Sequence, residues 1–421
     1  NKMLQKGNIH YISNADAYPS IIADGNLSMD TLRIVFPQHQ GVWHFLTFPF
    51  DIKRQDIQCN GEFVVRYYDG AIRAANGSGG WQNVPSDELH NGQGYIFQTA
   101  DNDTLVLEFP SPILPNEDVS LPLYLYDAAN AWDANWNMVG NPYLSYYDMD
   151  SISDFFYPII AWNGTGYDTY RPGDDVYHFK PLEGFFIQNA NLSQVTLPIS
   201  GRETRTEANT KLADSHSLRK VMAAAPAEKE ARKLINLTLS SATYTDRTRV
   251  VFNANASLEY EIGVDANKFI SSSAPVQLYS LGKNNEQYSI NERPDTRAGE
   301  MIQLGYYAAT AGTFTLSASR MDTAIVIYDY VMNQHVDLSK GDYMFSSEAG
   351  YNNTRFAMSA AKAPSVETGI DEIQIGNLSN VSVYSITGQL LAENIHLSTL
   401  DLPAGVYMIQ TESATHKIVI P

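Results

Sequence analysis

Four aromatic residues beside glycine-rich loops are the side chains best suited to bind a ligand. Trp81 follows the glycine-rich segment 76–80, and Trp162, Tyr167 and Tyr170 lie around a second such loop. Rings exposed beside Asn, Asp and Gln can stack on sugar rings while the polar groups bind hydroxyls. Alternatively, the same rings fill a β core or cover its end. We predict these four as candidate ligand-binding residues, and both interpretations stay open.

Three acidic residues offer a hydrolytic alternative. Asp174, Asp175 and Glu183 lie close together in the sequence, near two of the aromatic residues. A glycosidase needs two carboxylates that face each other across a sugar. The chain has 47 Asp and Glu against 28 Lys and Arg, so a loop carboxylate is more often simply solvated. We therefore predict no catalytic residue and keep a hydrolase as an alternative.

Metal and cofactor motifs are weak. Asp148, Asp150 and Asp154, or the segment 101–103, could place oxygen ligands around calcium, but neither has the glycine and distal Glu of an EF-hand. Cys59 is the sole cysteine, which excludes an intrachain disulfide and a zinc site built on several cysteines. The sequence has no His-Glu-x-x-His, Gly-x-Ser-x-Gly, Walker or dinucleotide glycine motif. We predict no metal and no cofactor.

Composition limits the class of protein. The net charge of −19 and the pI of about 4.8 disfavour nucleic acid and anionic lipid, whose phosphates attract Lys and Arg. The 26 Tyr and 27 Gly indicate strands and turns rather than helices. No apolar run has the length of a transmembrane helix. The chain begins at Asn1, so we expect a mature or trimmed form.

An internal repeat organises the N-terminal half. Three pairs of similar segments occur in the same order at nearly constant spacing: 43–50 with 136–143, 68–70 with 162–164, and 94–98 with 184–188. Asp69-Gly70 and Asn163-Gly164 predict type I′ hairpin turns. Strand-like blocks hold four aromatic residues predicted to be core: Trp43, Phe97, Trp136 and Phe186. We predict one domain built from two halves.

The fold class predicted is all-β, with several antiparallel β-sandwich domains in series. We expect a twin-repeat domain over 1–200, with repeats at about 43–100 and 136–190, and a linker, in part helical, over 201–233. A jelly-roll-like sandwich follows over 234–358, where strand patterns alternate with turns. A second linker over 359–372 and a small Ig-like domain over 373–421 complete the chain.

Three blocks near the C-terminus carry a resemblance to a known family. Residues 383–388 read VYSITG, 402–407 read LPAGVY and 417–420 read KIVI. In this order they resemble the C-terminal sorting domain of proteins exported by the type IX secretion system of Bacteroidetes. The resemblance implies an address for export, with Gly388, Gly405, Tyr407 and Lys417 as its signal residues.

Two further resemblances fit the same group. The middle segment resembles the jelly-roll-like domain that often precedes such a sorting domain, through 246–250, 265–269 and 288–291. The repeats resemble those of large surface proteins of gut Bacteroidetes, which carry no defined activity. Together these imply a secreted or outer cell-surface location and contact with the secretion machinery.

The leading hypothesis is a non-enzymatic β protein with an adhesive, binding or structural role. Its partner would be a glycan or a host or cell-surface protein. The alternative is a carbohydrate-binding module attached to a surface glycan-processing system. Nucleic acid and a transmembrane segment are not expected.

Overall fold

The computed structural model is all-β, as the sequence predicts. It describes residues 7–13, 18–37, 41–84, 88–100, 104–205, 232–295, 300–360, 381–385, 389–395, 405–410 and 415–420. The chain divides into an N-terminal unit, Asn1–Ala360, and a C-terminal unit, Ala361–Pro421. Among the described segments, no helix has the length and apolar character needed to cross a membrane.

Short strands make up the first half of the N-terminal unit. They are β1 (Asn8–Ile12), β2 (Leu27–Ser28), β3 (Thr31–Pro37), β4 (His44–Leu46), β5 (Ile52–Lys53), β6 (Phe63–Tyr68), β7 (Trp81–Asn83), β8 (Glu88–Leu89), β9 (Tyr95–Thr99), β10 (Thr104–Pro110), β11 (Ile113–Leu114), β12 (Val119–Pro122), β13 (Trp136–Gly140), β14 (Tyr146–Asp148), β15 (Ile159–Trp162), β16 (Tyr167–Tyr170), β17 (His178–Phe179), β18 (Gly184–Gln188), β19 (Gln194–Leu197) and β20 (Arg202–Glu203). The α-helix of the described residues is α1 (Gly70–Asn76), and 3-10 helices occupy Arg54–Asp56, Ala131–Asp133, Met149–Ser151 and Ile199–Gly201.

Two antiparallel sheets in this half have the same strand order. The first is β4-β9-β6-β7 and the second is β13-β18-β15-β16. Each is accompanied by a short ladder at the equivalent place, β5 with β8 and β14 with β17. Each also has an outer pair, β3 with β10 and β12 with β19. We call β3 to β10 the first repeat and β12 to β19 the second repeat. The duplication therefore extends beyond the segments recognised in the sequence.

The predicted type I′ turns are wrong in both repeats. In the first, Asp69 is the N-cap of α1, and its side chain accepts a hydrogen bond from Ala71 N at 2.9 Å. Asp is a favoured N-cap, and the following Ala, Ile and Arg support a helix, so the Asp-Gly pair is not a turn signal there. In the second, a hairpin does form, but of the two turn residues only Gly164 has a positive φ, 95°.

The two repeat sheets face each other through aromatic rings. Phe45 in β4 lies 5.9 Å from the ring of Trp162, 6.1 Å from Tyr167 and 5.6 Å from Phe186, measured between centroids. Trp136 and Phe186 are almost fully buried here, as predicted. We call this the aromatic cluster; its members are Trp43, Phe45, Tyr68, Trp81, Ile96, Trp136, Met138, Ile160, Trp162, Tyr167, Phe186 and Phe269.

One large sheet forms the second half of the N-terminal unit, and we call it the middle sheet. Its strands are β21 (Lys233–Ser240), β22 (Thr245–Phe252), β23 (Ala266–Asn267), β24 (Val276–Leu281), β25 (Gln287–Arg293), β26 (Ile302–Ala308), β27 (Gly312–Met321), β28 (Ile325–Asp329), β29 (Gln334–Val336), β30 (Tyr343–Ser347) and β31 (Gly350–Ala360). The order is β29-β28-β31-β26-β24-β25-β22-β21-β27-β30, with β23 beside β25, and the sheet curls into a nearly closed barrel. Alternate residues such as Ile235, Leu237 and Leu239 fill its core, because successive side chains on a strand point to opposite faces.

The described part of the C-terminal unit is a four-stranded antiparallel sheet. It contains β32 (Val381–Ser385), β33 (Leu390–Ile395), β34 (Gly405–Gln410) and β35 (Thr415–Ile420) in the order β33-β32-β34-β35. Gly405 begins β34, Tyr407 lies half-buried within it, and Lys417 lies in β35. Gly388 lies outside the described residues, as does most of both predicted linkers, so the domain boundaries stay a prediction.

Candidate ligand-binding groove

An open groove lies where the two repeats meet the middle sheet. It encloses about 550 Å³, within the range of small-molecule sites. Its lining residues are Tyr68, Arg73, Gly77, Ser78, Gly79, Trp81, Trp132, Asp133, Tyr167, Phe186, Asn267, Lys268, Phe269, Ile270, Asn285, Glu286 and Gln287. Because both repeats and the middle sheet contribute, the groove exists only in the assembled unit.

A cross-strand aromatic pair closes a hairpin in each repeat, and three of these four rings line the groove. Tyr68 and Trp81 face each other at the end of the β6–β7 ladder, with ring centroids 5.2 Å apart. Trp162 and Tyr167 occupy the equivalent position in the second repeat, 4.9 Å apart. Such pairs stabilise a hairpin end and hold the rings in fixed orientations. Tyr68, Trp81 and Tyr167 remain half-buried and line the groove.

The helix α1 supplies one wall. A Cβ on Gly70 would lie 2.2 Å from the Trp136 carbonyl oxygen, so glycine permits the helix to contact β13. The helix ends at Gly77, whose φ of 70° suits a left-handed C-cap. This position brings the Arg73 guanidinium to 4.5 Å from the Phe269 ring and 3.4 Å from Asp133. The wall therefore presents the Arg73 guanidinium, which stacks on the Phe269 ring and whose charge is partly neutralised by Asp133.

The middle sheet supplies polar groups on the opposite side. Lys268 is engaged in an ion pair with Asp246, 2.6 Å away and equally buried, and so offers no charge to a ligand. Glu286 accepts hydrogen bonds from the backbone and side chain of Asn284 at 2.7 and 2.9 Å. The side-chain amide of Gln287 has no hydrogen bond to any described residue and remains available to a ligand. A groove with stacked rings, one amide and a guanidinium suits a neutral polyhydroxy ligand.

Burial keeps the groove phenols protonated. It raises the pKa of Tyr167 to about 12 and also raises that of Tyr68, despite the opposing effect of Arg73. Burial likewise raises the pKa of Asp133, and the Arg73 charge lowers it by less. The tyrosines therefore act as hydrogen-bond donors across the neutral pH range.

The structure brings together three of the four predicted aromatic residues. Trp81 and Tyr167 line the groove, and Trp162 packs behind them in the aromatic cluster, where its Nε1 donates to the Trp43 carbonyl at 2.7 Å. Tyr170 lies elsewhere and stacks on Tyr177 with centroids 4.1 Å apart. Ligand binding by these residues stays a prediction.

Sequence reasoning missed Arg73, Trp132 and Phe269 as groove residues. Arg73 follows an Asp-Gly pair that was interpreted as a turn rather than a helix start. Phe269 lies in the middle sheet region, far along the chain, and no local pattern links it to the repeats. The N-cap signal at Asp69 could have identified the helix.

Of the three acidic residues considered for hydrolysis, Asp174 and Asp175 form ion pairs and Glu183 is held by hydrogen bonds. Both oxygens of Asp174 accept from Arg232 at 2.8 Å, and Asp175 accepts from Arg249 at 2.5 and 2.9 Å. Glu183 is buried, accepts from the Tyr177 hydroxyl at 2.6 Å and from Lys180 N at 2.7 Å, and burial raises its pKa. These contacts leave the three carboxylates facing protein groups rather than each other across a cleft.

The ion pairs join the second repeat to the middle sheet, and we call them the ion-pair seam. It comprises Arg171, Asp174 and Asp175 from the second repeat with Arg232, Arg247, Arg249 and Glu292 from the other side. Arg247 and Arg249 lie on the same face of β22 because they are two residues apart along the strand. Burial alone would raise the pKa of Asp175, but Arg247 and Arg249 outweigh it and hold the pKa below its ordinary value.

Two of the carboxylates considered as calcium ligands in segment 148–154 accept backbone hydrogen bonds in the structure. Asp148 caps the 3-10 helix by accepting from Asp150 N at 3.1 Å, and Asp150 accepts from Gly173 N at 2.9 Å. Asp154 adopts a positive φ of 50° at the end of this turn. The segment 101–103 lies outside the described residues.

Residues 157–359 match a family model described as a domain of unknown function, DUF8693. The matched range contains both sides of the ion-pair seam. It begins just before β15, inside the second repeat, and ends in β31 of the middle sheet. No curated protein shows significant similarity to the chain. No solved structure does either.

Proposed function

We propose that this chain is a non-enzymatic binding protein of the cell exterior, secreted or held on the outer surface, and that its groove binds a glycan. The observation that carries the proposal is the groove itself. It presents the half-buried rings of Tyr68, Trp81 and Tyr167 beside an unengaged amide at Gln287. Aromatic faces stack on the apolar faces of sugars, and amides bind hydroxyls.

The charge pattern favours a neutral ligand for this groove. Arg73 is paired with Asp133, and Lys268 is paired with Asp246, so the cations of the lining are compensated. The chain as a whole carries a net charge of −19, which disfavours nucleic acid and other polyanions. A neutral oligosaccharide fits both facts.

Ion pairing of the candidate carboxylates supports a binding role over hydrolysis. A general acid and a nucleophile must each reach the substrate, and Asp174 and Asp175 are instead occupied by Arg232 and Arg249. In this proposal the C-terminal unit is the export address. The described residues of the blocks that resemble a sorting domain lie in β32, β34 and β35 of its sheet.

A glycan array with the full chain tests the groove. Trp81→Ala should weaken binding by about tenfold, because a stacked aromatic contact of about 1.5 kcal/mol corresponds to that factor. Ser78→Trp should block the groove without removing any packed ring, since Ser78 is exposed on the rim. Trp162→Phe is the matched control, because Trp162 belongs to the same aromatic cluster but does not line the groove.

Two results would refute the proposal. One is the absence of any glycan ligand on a broad array with folded protein. The other is a ligand whose affinity is unchanged by both Trp81→Ala and Ser78→Trp. The export role is tested separately: removal of 361–421 should abolish surface display, and unchanged display would contradict it.

A further inference from the structure

Three potential metal ligands share one face of a small sheet. β14 lies between β17 and β20, with Asp148 opposite His178 and Tyr146 opposite Glu203. Residues two apart on a strand point to the same face, and directly paired residues on neighbouring strands do so as well. The register therefore puts the side chains of Asp148, His178 and Glu203 on the same face.

These side chains are close enough to share one ion. One ligand atom from each lies within 4.8 Å of the others, and His178 Nδ1 is 2.8 Å from Glu203 Oε2. Two ligands of one tetrahedral Zn²⁺ are about 3.3 Å apart, given bond lengths of about 2.0–2.2 Å. Small side-chain rotations would therefore bring the three ligand atoms to the spacing of a tetrahedral metal site.

His178 supplies an independent sign of a ligand. Its side chain is 2% exposed, and neither ring nitrogen has a hydrogen-bond partner among the described residues, although Nδ1 lies so close to Glu203. A buried polar group without a hydrogen bond costs about 1–3 kcal/mol. A buried imidazole that lies beside two carboxylates without a hydrogen bond to either is the arrangement expected of a metal ligand.

We propose that Asp148, His178 and Glu203 form a binding site for a divalent transition-metal cation of the Zn²⁺ class. Imidazole nitrogen suits zinc and related ions, whereas calcium prefers an all-oxygen set. A carboxylate can bind a metal with one oxygen while the other accepts a hydrogen bond, as Asp148 does from Asp150 N. Three protein ligands leave a fourth position for water.

The bound ion would tie three strands together. β20 is only two residues long, and its ligand Glu203 would be linked through the metal to β14 and β17. Binding to the folded state alone stabilises that state in proportion to the logarithm of the metal concentration. The first repeat has Lys53 opposite Glu88 at the equivalent register, so the Asp148–His178 pair has no counterpart there.

Titration of the full chain with Zn²⁺ tests the site. After treatment with a chelator and dialysis, we expect about one equivalent to bind, with a rise in melting temperature and weaker Ca²⁺ binding. His178→Gln and Asp148→Asn should each weaken Zn²⁺ binding by at least about 100-fold, since even outer-shell changes cost about 10–100-fold. Asp148→Asn is the variant most certain to fold, because Asn also caps a helix.

A matched control is His90→Gln. His90 is an exposed histidine near Asp51, 3.7 Å away, in the first repeat. It should leave the titration unchanged, and Co²⁺ should give visible absorption bands with wild type and the control but not with His178→Gln. Absence of stoichiometric Zn²⁺ binding, or binding unaffected by His178→Gln and Asp148→Asn, would overturn the proposal in favour of a metal-free His–Glu ion pair.

Discussion

The two repeats share a strand order but differ in what surrounds them. In the first, α1 connects β6 to β7 and forms a wall of the groove. In the second, a short turn connects the equivalent strands, β15 and β16. The loop after β16 contains Asp174 and Asp175, which take part in the ion-pair seam. One strand framework thus carries a connection that lines the groove in the first repeat. In the second repeat it carries an edge that contacts the middle sheet through the ion-pair seam, which we call the docking edge.

The connections of the duplicated unit can change freely, whereas its paired aromatic residues cannot. The aromatic pairs Tyr68–Trp81 and Trp162–Tyr167 are retained at equivalent positions, because each closes a hairpin end and fills the space between the sheets. Loop residues contribute little to that core. They can therefore differ in length, charge and role without altering the strand order.

The largest effect expected is from breaking the docking edge. Asp175→Ala would leave Arg249, whose side chain is 1% exposed, without its closest carboxylate. Loss of one partner from a buried pair costs about 3–5 kcal/mol, because the remaining charge stays buried. The free energy of unfolding in urea should fall by this amount. In the first repeat, Asp56→Ala at an exposed carboxylate should change it by less than about 0.5 kcal/mol.

Equal effects for the two variants would show that the seam does not stabilise the second repeat. A larger effect at Asp56 would reverse the comparison.

Acid should weaken the same edge by a smaller amount. The pKa values of Asp175 and Glu292 lie below their ordinary 3.8 and 4.5, because neighbouring arginines outweigh the effect of burial. Their stabilisation is therefore fully present above those ordinary values and is lost as the pH falls through the lowered ones. Asp175→Asn should be less stable than wild type at neutral pH, and the difference should shrink below about pH 4.

Unfolding in urea at several pH values, from neutral to acid, measures this difference. The difference between variant and wild type reports on Asp175 alone and cancels the contribution of groups whose pKa shifts the other way, such as Asp265, whose pKa burial raises to about 7. A gap that stays constant with pH would mean that the charge of Asp175 is not what stabilises the seam.

Much of the architecture could be predicted from the sequence because it depends on local patterns. Alternation of strand patterns with turns predicts the strand-rich region over 234–358, and the repeat spacing predicts the two equivalent strand pairs, β6 with β7 and β15 with β16. Phe97, Trp136 and Phe186 are buried as predicted. These features require only period and residue type.

The site could be predicted less well because it depends on distant contacts. Arg249 and Asp175 are far apart in the sequence, and no spacing rule pairs them. The ligands Asp148, His178 and Glu203 meet through strand register, which short ladders without a clear hydrophobic pattern do not reveal. Asp69 was misassigned because a turn and an N-cap prefer the same residues.

The smallest effects should come from the connections that distinguish the repeats. Asn163 Oδ1 accepts from Thr165 N and Gly166 N at 3.0 and 2.8 Å, and its Nδ2 donates to Asp168 and to Tyr244 of the middle sheet region. Asn163→Ala should cost about 2 kcal/mol, since each exposed hydrogen bond contributes about 0.5–1.5 kcal/mol. Asp69→Ala removes a single N-cap bond and should cost about 1 kcal/mol.

Chemical unfolding of both variants side by side decides whether the turn or the helix is the more tightly held connection. Tyr244→Phe provides a control, because it removes the hydroxyl that accepts from Asn163 Nδ2 and leaves the hydrogen bonds within the turn intact. If it behaves like wild type, the backbone turn accounts for the effect. If it behaves like Asn163→Ala, the contact with Tyr244 accounts for it, and the turn then belongs to the docking edge rather than to the duplicated framework. Asp69→Ala costing more than Asn163→Ala would contradict that division, because α1, the connection that lines the groove, would then be the more constrained of the two.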